Sequence, residues 1–136
     1  MAEQVHLARL PKGGDLVEEV QNLARRLGVT NAAVQVIGAL ERAELGFYRQ
    51  NEQEYVAHPV ELHCELLAGL GNISLKDGEP FAHLHLTLSF EGGSVTGGHA
   101  MPGCTIFAAE ACIAEVPGPA LERAFDPPTG LFLWKE

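Results

Sequence analysis

The sequence predicts an α+β domain: an antiparallel (mixed) β-sheet of about six or seven strands with one main helix packed on it. Three observations carry this. One stretch near the start has helical periodicity and both caps. The remaining apolar stretches are rich in Val, Ile and Leu and separated by Gly turns. The chain has 136 residues, which suits a single domain with one core, taken as residues 1–136.

Residues 5–10 alternate Val5, Leu7 and Arg9 against His6, Ala8 and Leu10, as in a short strand. Pro11-Lys12-Gly13-Gly14 interrupts it. Asp15 is a good N-cap, with Glu18 three residues later in a capping-box pattern. Apolar residues at 16, 17, 20, 23, 24 and 27 then form the stripe of an amphipathic helix. Arg25 and Arg26 suit the negative end of its dipole, and Gly28 is placed to end it.

Strands follow over residues 32–40 and 41–49. Residues 60–75 read as one long strand, with Gly69 and Gly71 marking a bend or bulge. Lys76-Asp77-Gly78-Glu79-Pro80 is a turn, 81–90 a strand, Glu91-Gly92-Gly93 a tight hairpin connection, and 94–100 its return. Residues 105–116 form a last long apolar strand. The tail from 117 carries four of the eight prolines and is expected to be irregular until Leu131-Phe132-Leu133-Trp134. In strand 105–116 both parities are apolar: Ile106, Ala108 and Cys112 on one, Phe107, Ala109, Ala111 and Ile113 on the other. With only one helix as cover, a strand apolar on both faces points to an interface between chains.

Composition excludes several classes. Lys and Arg number 9 against 18 Asp and Glu, a net charge of −9, while 46% of residues are hydrophobic and 20% charged. That is too apolar for a disordered chain. It is also short of the cations that neutralise a phosphate backbone, so direct nucleic-acid binding is not expected. No apolar run approaches the ~20 residues of a membrane helix. Met1-Ala2-Glu3-Gln4 lacks the cationic start and apolar run of a secretory signal, so the expected location is cytoplasmic. Cys64, Cys104 and Cys112 form no C-x-x-C pair and are expected to fill space in a reducing compartment.

The histidines carry the chemistry. Within 81–90, the even positions are Ala82, Leu84, Leu86, Leu88 and Phe90, and the odd ones Phe81, His83, His85, Thr87 and Ser89. Period-two geometry places His83 and His85 together on the polar face, about 7 Å apart at Cα. If Glu91-Gly92-Gly93 is a three-residue loop, opposed residues sum to 184 and His99 lies across from His85. The same register puts Val95 on the histidine face, whereas a two-residue loop would send His99 to the core face; a bulge at Gly97-Gly98 would resolve the conflict. Three such histidines suit zinc or a similar borderline metal, with one or two positions left open. His6, His58 and His63 lack this spacing and are expected at the surface, His63 on a solvated face beside Glu61 and Glu65. Glu110, alone among apolar neighbours, needs a partner if buried. It either supports a metal-bound histidine or forms an interface salt bridge. Cys104 near His99 has no third orienting group and is not read as a nucleophile.

Several motifs also resemble a known family: Val36-Ile37-Gly38-Ala39-Leu40, Leu70-Gly71-Asn72-Ile73-Ser74, Pro80-Phe81-Ala82-His83-Leu84-His85, Gly97-Gly98-His99, Leu121-Glu122-Arg123 with Phe125-Asp126, and Thr129-Gly130-Leu131. Their order and spacing over about residues 5–133 are similar to the plant and prokaryote conserved (PPC) domain, the domain that plant AT-hook nuclear proteins carry. The resemblance implies a homotrimer in which His83, His85 and His99 are zinc ligands. It also brings a DNA-binding label. In the plant members that contact lies in the AT-hook, where Arg enters the minor groove, and this sequence has no Arg-Gly-Arg-Pro-like segment.

Three functions are therefore expected, in order. The first is a homotrimeric, zinc-binding interaction or regulatory module, partnered by itself and by other regulatory proteins. The second is a metal-dependent enzyme acting on a small molecule, with Glu110 or Glu79 as base. The third is a DNA-binding regulator.

Overall fold

The structure, a computed structural model, describes residues 4–136; Met1-Ala2-Glu3, most of the segment compared above with a secretory signal, lies outside them. Nine strands and one helix follow in order: β1 (Val5–Leu10), α1 (Leu16–Leu27), β2 (Ala32–Arg49), β3 (Glu54–Val60), β4 (Cys64–Lys76), β5 (Glu79–Ser89), β6 (Val95–Ala100), β7 (Thr105–Glu115), β8 (Arg123–Asp126) and β9 (Leu131–Trp134). Seven strands make one antiparallel sheet in the order β1-β7-β2-β4-β5-β6, with β3 paired to β2. β8 and β9 form a separate hairpin. The expected α+β class holds.

The helix forms where its caps place it. Asp15 accepts a hydrogen bond from the Glu18 amide at 3.1 Å, and Gly28 ends the helix in the left-handed region. The second carboxylate oxygen of Asp15 accepts from the amides of Gly103 (2.7 Å) and Cys104 (3.1 Å). The N-cap thus also ties the β6–β7 connection to the helix. Leu16, Val20, Leu23 and Ala24 face the core, where they meet the inner face of the sheet, including Leu84, Leu86 and Leu88 of β5. Each fully buried leucine there contributes about 1.5–3 kcal/mol by leaving water.

β2 is the long spine. Its first half lies between β4 and β7, and its second half meets β3 and β6. Because β6 pairs with β5 and also touches β2 at Leu45↔Ala100 and Gly46↔His99, the strands β2, β4, β5 and β6 close on one another. Closure covers the His99–Ala100 end of β6 on both sides, and it brings His99 into the sheet rather than to its margin.

Four expectations need correction. The strand read over 60–75 is two: Val60 ends β3, and β4 begins only at Cys64. Its bulge lies at Leu67, where the β4–β5 register slips between Leu66 and Ala68. Two strands were not expected at all, β3 and β8. Finally, β7 does not alternate cleanly. Leu40 faces Ile106 while Ala39 faces Ala108, so Phe107 is a bulge. Ile106 therefore joins Ala109, Ala111 and Ile113 in the core, while Phe107 and Ala108 are both exposed. Within one chain β7 is covered on a single face. Gly38 sits opposite this bulge with φ 151°, and a Cβ there would collide with the Ala108 carbonyl. Only glycine suits that close approach.

Candidate metal centre

β5 alternates as its sequence requires. Ala82, Leu84, Leu86 and Leu88 are buried, while His83, His85 and Thr87 point to the other face. The hairpin that follows has three loop residues, closed by the Phe90 amide donating to the Ser94 carbonyl at 2.9 Å. The register follows: His85↔His99, Leu86↔Gly98 and Thr87↔Gly97, without a bulge at the glycines. Directly opposed residues share a face, so His99 joins the pair on β5.

The structure brings the three histidines together. One ring nitrogen from each lies within 4.8 Å of the others, and His83 Nε2 is 3.1 Å from His85 Nε2. Their ring centroids are 4.9 to 5.6 Å apart. Tyr55 of β3 stacks on the His99 ring at 4.9 Å and 27°, which fixes its plane. Glycine at Gly71 is what lets β4 and β5 approach here: a Cβ would run into the His83 carbonyl oxygen.

This donor set fits a metal. A tetrahedral ion with N–metal distances of about 2.0–2.1 Å places its nitrogens about 3.3 Å apart, close to the 3.1 Å between His83 and His85, while the His99 nitrogen lies within 4.8 Å of both. Burial, with lesser help from His85, His99 and Arg123, pushes His83 down to about 4. Burial followed by His85 lowers His99 as well. Both are neutral at pH 7, with lone pairs free to coordinate. His99 Nδ1 is buried and has no hydrogen-bond partner among the described residues. Such a nitrogen is costly unless something binds it.

The other expected residues lie elsewhere. No carboxylate or thiol joins the cluster among the described residues. Glu110 is exposed on β7, opposite Arg9 and Ile37, three strands away from β5. It is neither buried nor a support for a histidine. Glu79 lies 3.4 Å from Arg25 at the end of α1. Cys104 is fully buried, and desolvation raises its thiol to about 11, so it is no nucleophile. Cys64 is buried too, whereas Cys112 is only partly so. His58 and His63 are exposed as expected. His6 is half-buried and bonded to Glu115 at 2.8 Å, which its spacing did not reveal.

The face that carries the histidines continues across the sheet to the β1 edge. Across the ladders, Leu7 opposes Cys112, Cys112 opposes Gln35, Gln35 opposes Leu70, Leu70 opposes His85, and His85 opposes His99. One row thus runs from the β1 edge to the histidine cluster on one side of the sheet. Leu7 is 81% exposed and Ile37, in the next row, 54%. On the far side of the histidines the β8–β9 hairpin folds over the same face. Arg123 donates to Asn72 and Ser74 of β4, each at 3.0 Å. Tyr55 and Arg123, which sequence reasoning gave no role at the site, are placed there only by the β2–β3 and β8–β9 hairpins. The appearance of Arg123 in a family-like motif was the one signal for it.

Comparison with known proteins agrees with this geometry. The family model described as the Plants and Prokaryotes Conserved (PCC) domain matches residues 1–117. Among solved structures, a metal-containing protein of Archaeoglobus fulgidus is 40% identical, with a TM-score of 0.92 over 98% of this chain and 94% of that one. A plant- and prokaryote-conserved (PPC) protein of Pyrococcus horikoshii is 35% identical, also at 0.92, over 99% and 94%. A Bacteroides thetaiotaomicron protein described as a candidate DNA-binding protein is 20% identical, at 0.87 over 98% and 96%, a likeness that shows the fold alone. None of the curated proteins matches.

Proposed function

The chain belongs to the Plants and Prokaryotes Conserved domain family, and from that premise we propose a homotrimeric module of the cytoplasm. In this reading it holds zinc through His83, His85 and His99 and acts by association, with its own copies and with other regulatory proteins. The observation that carries it is the convergence of three imidazoles, one with a buried orphan nitrogen. The 40% identical relative described as metal-containing supports the same reading. So do the exposed Leu7 and Leu70 of the row that ends at His85, which suit a contact between like chains.

When bound, zinc held by three imidazoles keeps a coordination position open to water or to a partner's ligand. Proton transfer would need a base, and neither Glu79 nor Glu110 stands at the cluster, so a binding role is favoured over hydrolysis. Direct DNA binding is disfavoured by charge. The chain carries −9, and assembly triples that while adding no basic surface.

The test is elemental analysis beside sedimentation. Purified protein is expected to carry one zinc per chain and to sediment as three chains. His99→Ala is expected to lose the zinc. A wild-type monomer, or zinc content unchanged in His99→Ala, would overturn the corresponding half.

A further inference from the structure

Beside the histidines lies a cavity of about 350 Å³ between the sheet and the two hairpins, near the low end for small-molecule sites of about 300–1,000 Å³. Its wall continues the histidine face of β5: Phe81 precedes His83 by two residues and shares its side, about 7 Å along the strand. Phe132 of β9 and Tyr55 of β3 add apolar surface. Two cations enter the same space, Lys76 from the end of β4 and Arg123 from β8.

Neither cation has a carboxylate beside it, which among the described residues is otherwise true only of Arg9 and Arg26. Five of the nine Lys and Arg side chains lie within 4.0 Å of a carboxylate; Lys76 and Arg123 do not, among the described residues. They lack it although acids outnumber bases two to one. Aromatic rings lie near them. Arg123 Cζ lies 5.3 Å from the Phe81 ring centre and 5.2 Å from that of Trp134, while Lys76 Nζ is 5.1 Å from Phe81 and 4.1 Å from Phe132. Arg123 is also held rigidly. It donates to Ser74 Oγ, to Asn72 Oδ1 and to the Phe132 carbonyl at 3.0 to 3.1 Å. That uses three of its five N–H donors and leaves one on each terminal nitrogen. A partly buried guanidinium with spare donors and no counter-charge is suited to an anionic ligand, and a planar carboxylate matches its fork. Glu54 also borders the cavity, but its carboxylate lies 3.8 Å from Arg49.

We propose that this cavity binds a small molecule with a carboxylate and a planar apolar body, the carboxylate between Lys76 and Arg123 and the body against Phe81 and Phe132. The molecule lies along β5 and extends toward His83 and His99, so a bound metal and this ligand are neighbours. The site itself is built from side chains that need no metal. It therefore goes beyond the zinc reading and stands or falls separately.

Benzoate is the probe and benzamide, of the same shape and uncharged, its control. Each is titrated into metal-free protein and into zinc-loaded protein, followed by amide shifts in NMR spectra. Benzoate is expected to give saturable shifts at Phe81, His83 and Arg123 in both forms, with benzamide at least about tenfold weaker. Lys76→Gln, at the end of a strand and outside the core, is expected to weaken benzoate about tenfold without loss of fold; Arg123→Gln should do the same or more. The proposal is overturned if benzoate gives no saturable shift by about 10 mM, or if benzamide binds equally well. It is equally overturned if inorganic phosphate binds and benzoate does not, or if binding requires zinc and ignores Lys76→Gln. Loss of zinc binding with benzoate binding intact would sink the metal reading alone.

Discussion

His85 stands directly opposite His99 across the β5–β6 ladder, with His83 Nε2 3.1 Å from His85 Nε2 on the same face. Without a metal, these rings are packed beside one another and partly withdrawn from water. The cost appears as a lowered proton affinity, with His83 at about 4 against an ordinary 6.5. Above pH 6.5 neither folded nor unfolded chain protonates this group. Between 6.5 and about 4 the unfolded chain takes up a proton that the folded chain refuses, so stability falls as pH falls. Below about 4 both are protonated and the loss is complete. Urea unfolding of metal-free protein at pH 7, 5.5 and 4.5 should show this decline, and His83→Gln should flatten it. An equally steep decline in His83→Gln would contradict the assignment.

Gly71 links sheet packing to the centre. A Cβ there would meet the His83 carbonyl, which is backbone and cannot swing aside. Gly71→Ala should therefore push β5 away from β4, costing about 1–3 kcal/mol of stability and displacing His83. Thermal unfolding and zinc affinity measured together should both fall. A variant as stable as wild type, with zinc affinity intact, would show that the strands have room the structure denies.

How much of this was legible beforehand depended on distance along the chain. The histidine cluster was readable because its parts are local: a period-two pattern puts His83 beside His85, and a three-residue loop brings His99 opposite. The helix was readable for the same reason, since Asp15 and Gly28 bracket one apolar stripe. The bulge at Phe107 was not, because it matches Gly38 on a strand some seventy residues away. β3 escaped notice because six of its seven residues are at least partly exposed and carry no apolar alternation. β8 is four residues long and gains its stability from the Arg123 bonds to β4. The cavity beside the histidines inherits both omissions, since those two hairpins form its walls.

The row from Leu7 to His85 gives a prediction for assembly. Leu7 protrudes from the β1 edge, 81% exposed and opposite Cys112. Leu7→Glu leaves the core untouched but places a carboxylate where a second chain is proposed to pack, and burying that charge without a partner is costly. Sedimentation should show a shift from three chains toward one at micromolar concentration, with the circular dichroism spectrum unchanged. An unchanged mass would place the contact on another surface.

The central claim is that His83, His85 and His99 together hold one zinc ion. X-ray absorption at the zinc edge of loaded protein tests it most directly. The account predicts three imidazole nitrogens at about 2.0–2.1 Å and one further light atom. A sulfur ligand near 2.3 Å, or a shell of oxygens without imidazole, would contradict it.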